Sequence, residues 1–85
     1  MQVLFHKSFK KQYKKLPPKV RANFDQRLAL LLANPADPLL RLHKLSGNRV
    51  PLESFNVTAD YRALILRTKS AIVCMEIGTH SELYG

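Results

Sequence analysis

The last third of the chain sets an acid, an arginine, a histidine and a tyrosine near one another: Asp60-Tyr61-Arg62, an apolar run, then His80 and Tyr84. Metal-free cleavage of RNA needs a base to take the 2′-hydroxyl proton, an acid to protonate the departing 5′-oxygen, and positive charge where the phosphorane develops. Imidazole suits proton transfer near neutral pH, and the guanidinium fork matches two phosphate oxygens. His80 and Arg62 are the natural candidates, with Asp60 and Tyr84 beside them and His43 further upstream. Each also has an ordinary reading. His80 could cap the last carbonyls of a sheet, Arg62 could pair with Asp60, Glu53 or Glu76 on the surface, Asp60 is a normal turn residue, and His43 could bond a loop carbonyl. Convergence of the set, not any single member, is the signal.

The elements that must position these residues can be read from periodicity. Val3-Leu4-Phe5 is too brief for a helix and predicts a first strand. Phe9, Tyr13 and Leu16 share one face of a short helix that Ser8 could cap, and Leu16-Pro17-Pro18 ends it. The same prolines can open a second helix, in which Val20, Phe24, Leu28 and Leu31 keep the helical period down to Asn34-Pro35. Residues 35–48 read as a connection anchored by Leu39, Leu40, Leu42 and Leu45. Strand-like runs follow at 50–57, 61–67 and 71–77, separated by gaps that suit only hairpins. Pro51 marks the first of these runs as interrupted or near an edge. The expectation is an α+β fold, β-α-α-β-β-β, with an antiparallel sheet packed on an N-terminal helical hairpin and a single domain over 1–85. In that meander the entry of the 61–67 strand and the exit of the 71–77 strand share one end, which brings Arg62 and His80 within reach of one phosphate.

Charge narrows the partners. Fourteen Lys and Arg against six Asp and Glu give a formal net charge of +8, which draws the protein towards polyanions. Lys10, Lys11, Lys14 and Lys15 fall opposite the apolar face of the first helix, either as a solvated face or as a surface that follows a phosphate backbone. With Lys44 and Tyr61 they are the candidate RNA-contacting residues. The longest apolar stretch, 28–33, is far short of the roughly 20 residues of a membrane span, and the start lacks a signal-peptide pattern, so a cytoplasmic protein is expected. Cys74, the only cysteine, sits among apolar residues as a small hydrophobe. No paired metal-ligand motif occurs, so neither metal nor cofactor is expected, and Ser81 lacks the base and orienter of a hydrolase triad.

The blocks His43-Lys44-Leu45-Ser46-Gly47, 57–64 (VTADYRAL) and 77–84 (IGTHSELY), in this order, together with Phe9-Lys10-Lys11 and Leu16-Pro17, resemble the RelE/ParE superfamily of bacterial toxin–antitoxin toxins, most of all its RelE/StbE and YafQ-like branch. The resemblance spans essentially the whole chain, and the final block is its most specific part. It implies a toxin that cuts messenger RNA, usually on the ribosome, and is silenced by an acidic antitoxin. It also implies that His80 is the catalytic histidine, His43 the histidine of the leucine-glycine block, Asp60 the acid of the turn, Arg62 the phosphate-binding arginine and Tyr84 the terminal aromatic that packs on a base. The chain departs from YafQ-like members at Asn56, where they carry a histidine, and at Tyr61, where they carry tryptophan. Pro51 and Glu53 replace a frequent glycine and arginine.

Two other functions compete with the ribonuclease. A ParE-like toxin would block a DNA topoisomerase without cleaving anything, and would have no need of an acid–base set. A plain nucleic-acid-binding module would show salt-sensitive binding, no turnover and no toxicity.

Overall fold

The computed structural model describes residues 1–84, which run β1 (Gln2–Phe5), α1 (Lys7–Lys14), α2 (Pro18–Ala33), β2 (His43–Lys44), β3 (Glu53–Asn56), β4 (Tyr61–Arg67), β5 (Ala71–Thr79) and α3 (His80–Tyr84). The strands form one sheet in the order β1-β5-β4-β3-β2. The α+β class, the helical hairpin and the C-terminal meander are as expected from the sequence.

Five details differ. The sheet is mixed rather than wholly antiparallel, because β1 pairs with β5 in parallel. A parallel pair needs a long crossover between its strands, and both helices and the rest of the meander supply it. The connection contains a strand: His43 and Lys44 pair with Ser54 and Glu53. β3 starts at Glu53, since Pro51 cannot donate to a ladder and a 3-10 turn at Gly47–Arg49 leads into it. The cap of α1 is His6, whose Nδ1 accepts from the Ser8 amide at 3.1 Å, so Ser8 lies inside the first turn. Leu39, read as an apolar anchor, is 60% exposed, whereas its neighbour Leu40 is fully buried.

Helices and sheet meet in an aromatic centre. Phe24 of α2 lies 5.1 Å from Phe9, 5.9 Å edge-on from Tyr13 and 6.1 Å stacked on Phe55 of β3. Val57, Ala63, Ile65, Ile72, Cys74 and Ile77 complete the same layer from the sheet side. Burial pushes the Cys74 thiol up to about 12, which makes it the inert hydrophobe its neighbours suggest. Gln12 of α1 fixes the hairpin to the sheet by accepting the Ile77 amide at 2.8 Å.

One irregularity decides what the opposite face of the sheet carries. Leu64 pairs with Glu76 but Ile65 pairs with Cys74, so Met75 is an extra residue in β5. Cys74 and Ile77 are an odd number of positions apart and would fall on opposite faces of a regular strand; the bulge keeps both in the core. It also turns Glu76 and Gly78 to the face away from the helices.

Candidate active site

On the face away from the helices, cross-strand neighbours form two rows. One runs His43, Ser54, Leu64, Glu76, and the next runs Asn56, Arg62, Gly78. Residues directly opposite in a ladder share a face, so His43 and Arg62 come to one side although nineteen positions separate them in the chain. α3 packs on β5 at the end of this face. Together they enclose an open groove of about 360 Å³ lined by Arg41, His43, Ser54, Asn56, Arg62, His80 and Tyr84, with Leu45. Its lining holds two arginines and two histidines and no carboxylate.

The cationic side chains are held from behind. Arg62 donates from Nη1 to the carbonyls of Thr58, Ala59 and Tyr61 at 2.9, 3.0 and 3.1 Å. Its Nε and Nη2 have no protein partner among the described residues, and none of the acids considered from sequence pairs with it: Glu53 is taken by Arg67 and Glu76 by Arg49. His43 Nδ1 lies 2.8 Å from the Arg41 carbonyl. A carbonyl only accepts, so Nδ1 carries the hydrogen, and the neutral ring keeps the lone pair on Nε2. Arg41 itself adopts a left-handed backbone, φ 46°, an uncommon conformation for a side chain of this size.

His80 and Tyr84 stand one turn apart on α3, with ring centroids at 4.7 Å. A helix of five residues has no stability of its own, and three contacts hold this one. Thr79 and Glu82 form a capping box: Glu82 Oε1 accepts the Thr79 amide at 2.7 Å, and Thr79 Oγ1 accepts the Glu82 amide at 3.2 Å. Arg49 donates to the Leu83 carbonyl and to Glu76 at 2.8 Å, and its guanidinium lies 5.9 Å from the Tyr84 ring centre. Gly78 allows the close approach, because a Cβ there would sit 3.1 Å from Glu82 Oε1. Finally, the His80 amide donates to the Asp60 carbonyl at 3.1 Å, tying α3 to the turn before β4.

The Thr79 amide and hydroxyl hold the Glu82 carboxyl below its ordinary value of 4.5. A carboxylate depressed in the folded state stabilises it above the unfolded value and loses that contribution as pH falls through the folded one. α3 is therefore expected to fray under acid below about pH 4.5, with the sheet still formed. Amide exchange followed by NMR checks this: His80 to Tyr84 should lose protection first, Glu82→Gln should flatten the pH dependence, and Glu82→Ala should fray α3 at neutral pH.

Of the residues singled out from sequence, Arg62, His80, His43 and Tyr84 line the groove. Asp60 does not; it borders an adjacent shallow depression with Thr79, His80 and Ser81. Tyr61 points to the helical face, packed against the core cluster. Lys10, Lys11 and Lys14 are exposed on α1 and Lys15 just after it, in the layer on the other side of the sheet, and Lys44 is exposed on β2 next to His43. Sequence reading missed Arg41, Ser54 and Arg49, and noted Asn56 only as a departure. Alternation at 41, 43 and 45, matched by 54 and 56, was the available signal for all but Arg49. Among the described residues no three His, Cys, Asp or Glu side chains gather as a metal site would require, and no helix is long and apolar enough to cross a membrane.

No protein-family model matches the chain, and no curated protein matches it in sequence. Solved structures do match. YafQ from Escherichia coli strain BL21(DE3) superposes with a TM-score of 0.86 at 18% identity, covering 99% of this chain and 98% of that one. A copper-bound L66S mutant toxin from Helicobacter pylori gives 0.76 at 24% identity over 99% of both chains. The RelB–RelE antitoxin–toxin complex from Methanococcus jannaschii gives 0.75 at 18% identity, covering 95% of this chain and 94% of that one. Over nearly its whole length the chain thus has the RelE-like fold of these toxins.

Proposed function

We propose that this protein is the toxin of a toxin–antitoxin pair, a metal-independent endoribonuclease that inhibits translation by cutting messenger RNA, with the ribosome presenting the substrate, in the cytoplasm. The single observation that carries the reading is the gathering of Arg62, His80, His43 and Tyr84 in one cationic groove. Toxins of this fold occur with antitoxins in the E. coli DinJ–YafQ and the archaeal RelB–RelE complexes, and a basic protein suits an acidic antitoxin as its partner.

The chemistry follows from the donors and acceptors. His43, with Nδ1–H held by a carbonyl, takes the 2′-hydroxyl proton on Nε2. The 2′-oxygen then attacks phosphorus, Arg62 stabilises the charge on the non-bridging oxygens through Nε and Nη2, and His80 in its protonated form delivers a proton to the 5′-oxygen as the P–O5′ bond breaks. The products are a 2′,3′-cyclic phosphate and a 5′-hydroxyl. Tyr84 stacks on a base, worth roughly 1–3 kcal/mol in such contacts, and Asp60, in the turn before β4, positions His80 by accepting its amide. Lys44 and the α1 lysines add long-range attraction.

Brief induction followed by primer-extension mapping of messenger RNA tests the proposal. The parent should arrest growth and leave discrete new 5′ ends, and an Arg62→Ala/His80→Ala double variant, folded by circular dichroism, should do neither. Equal cleavage by the double variant would remove the groove from the mechanism. Growth arrest with a DNA-damage response and intact RNA would favour topoisomerase inhibition instead.

A further inference from the structure

The geometry points to a base-reading floor in this groove, formed by Ser54 with Asn56, at which the edge of one nucleobase of the RNA is hydrogen-bonded. This inference rests on the RNA-cleaving reading and extends it to residues that have no part in the acid–base set. Ser54 is 1% exposed, and its Oγ is the one buried side-chain polar atom without a hydrogen-bond partner among the described residues. Leaving a buried hydroxyl unpaired costs stability, and alanine would avoid that cost at the same volume to within one atom. Ser54 is on the groove-facing side of β3 and among the residues that line the groove, directly across the ladder from His43, with its hydroxyl just beneath the floor. Asn56, half-buried, lies about 7 Å further along the same face and across from Arg62.

Charge assigns the roles. The guanidinium groups of Arg41 and Arg62 suit the phosphate. A hydroxyl and a carboxamide are neutral and both donate and accept, which is what a base edge presents. Tyr84, 38% exposed at the rim, can cover the face of a base whose edge reaches the floor. A hydroxyl with no protein partner discriminates, because a base that satisfies it gains the bond and a base that cannot leaves it buried and unpaired.

The test is NMR titration of the parent and of Ser54→Ala with the four nucleoside 3′-monophosphates, alongside cleavage of a mixed-sequence RNA pool. The parent should separate the four bases, and Ser54→Ala should compress the difference by roughly two- to tenfold while melting at the same temperature or higher, as loss of an orphan hydroxyl predicts and loss of a structural contact does not. Asn56→Ala should compress it as well. An unchanged base spread in Ser54→Ala, no spread in the parent, or a uniform loss for all four bases would each overturn the floor. A parent that separates the nucleotides but cuts no RNA would keep the floor and sink the nuclease. A parent that cuts with a preference untouched by Ser54→Ala would do the reverse.

Discussion

His80→Ala is expected to slow cleavage of a short RNA by about 10²–10⁴-fold, the range that a positioned proton donor supplies, without changing the fold. The side chain is exposed at the start of α3 and makes no buried contact, and the helix is held by Thr79, Glu82 and Arg49 rather than by the imidazole. His43→Ala should cost a similar factor by a different route. In the parent, single-turnover rates measured from about pH 5 to 9 should rise and then fall, because one imidazole must be neutral and the other protonated. Removing the acid, His80, should abolish the fall at high pH; removing the base, His43, should abolish the rise from low pH. The opposite pairing of limbs would exchange the two roles, and loss of neither limb would take both histidines out of proton transfer. Substrates with a good leaving group in place of the 5′-oxygen should rescue His80→Ala and leave His43→Ala slow.

Phe24→Ala should have the largest effect on stability, about 3–5 kcal/mol. The ring is 1% exposed and touches aromatic partners from α1 and β3 at once. A domain of 85 residues has roughly 4–13 kcal/mol in total, at 0.05–0.15 kcal/mol per residue, so the variant should lose a large share of it and unfold at a much lower urea concentration than the parent. Urea unfolding followed by circular dichroism reads this directly. Phe24→Leu, which keeps most of the volume, should lose far less and retain cleavage; equal loss in both would mean that ring stacking, not cavity formation, dominates at this site.

Periodicity and turn chemistry were enough to find the hairpin of helices and the meander, because Phe24 and Leu31 keep the helical spacing of one buried face and the apolar runs of β4 and β5 are short and bounded by turn residues. What they could not supply was relation. Nothing local tells Val3-Leu4-Phe5 to join β5 in parallel, since that choice is made by packing across the whole chain. The two-residue strand at His43–Lys44 is too short for any pattern and exists only because β3 offers a free edge. The acid–base candidates were found from residue type and spacing, and the groove gathers most of them, but the sequence ranked neighbours by their distance along the chain. That measure grouped Asp60, Tyr61 and Arg62, whereas alternation along β4 sends Tyr61 to the helices and Arg62 to the groove. It also passed over Arg49, whose contacts with Glu76 and Leu83 join distant segments. The Thr79-x-x-Glu82 box was present as a helix-start signal and would have turned the final block from a loop into α3.

The extra residue at Met75 has a consequence for how this chain can vary. Elsewhere in β5, removing one residue or adding one would swap inside for outside from that point on, burying Glu76 among the aromatics or delivering Ile77 to solvent; removing Met75 itself would leave Cys74 two positions from Ile77, both still facing the core. Both the core and the histidine-bearing end depend on the same count. Length change within this strand is thereby confined to the one residue that nothing opposes, and other insertions and deletions must accumulate in the turns that no ladder measures.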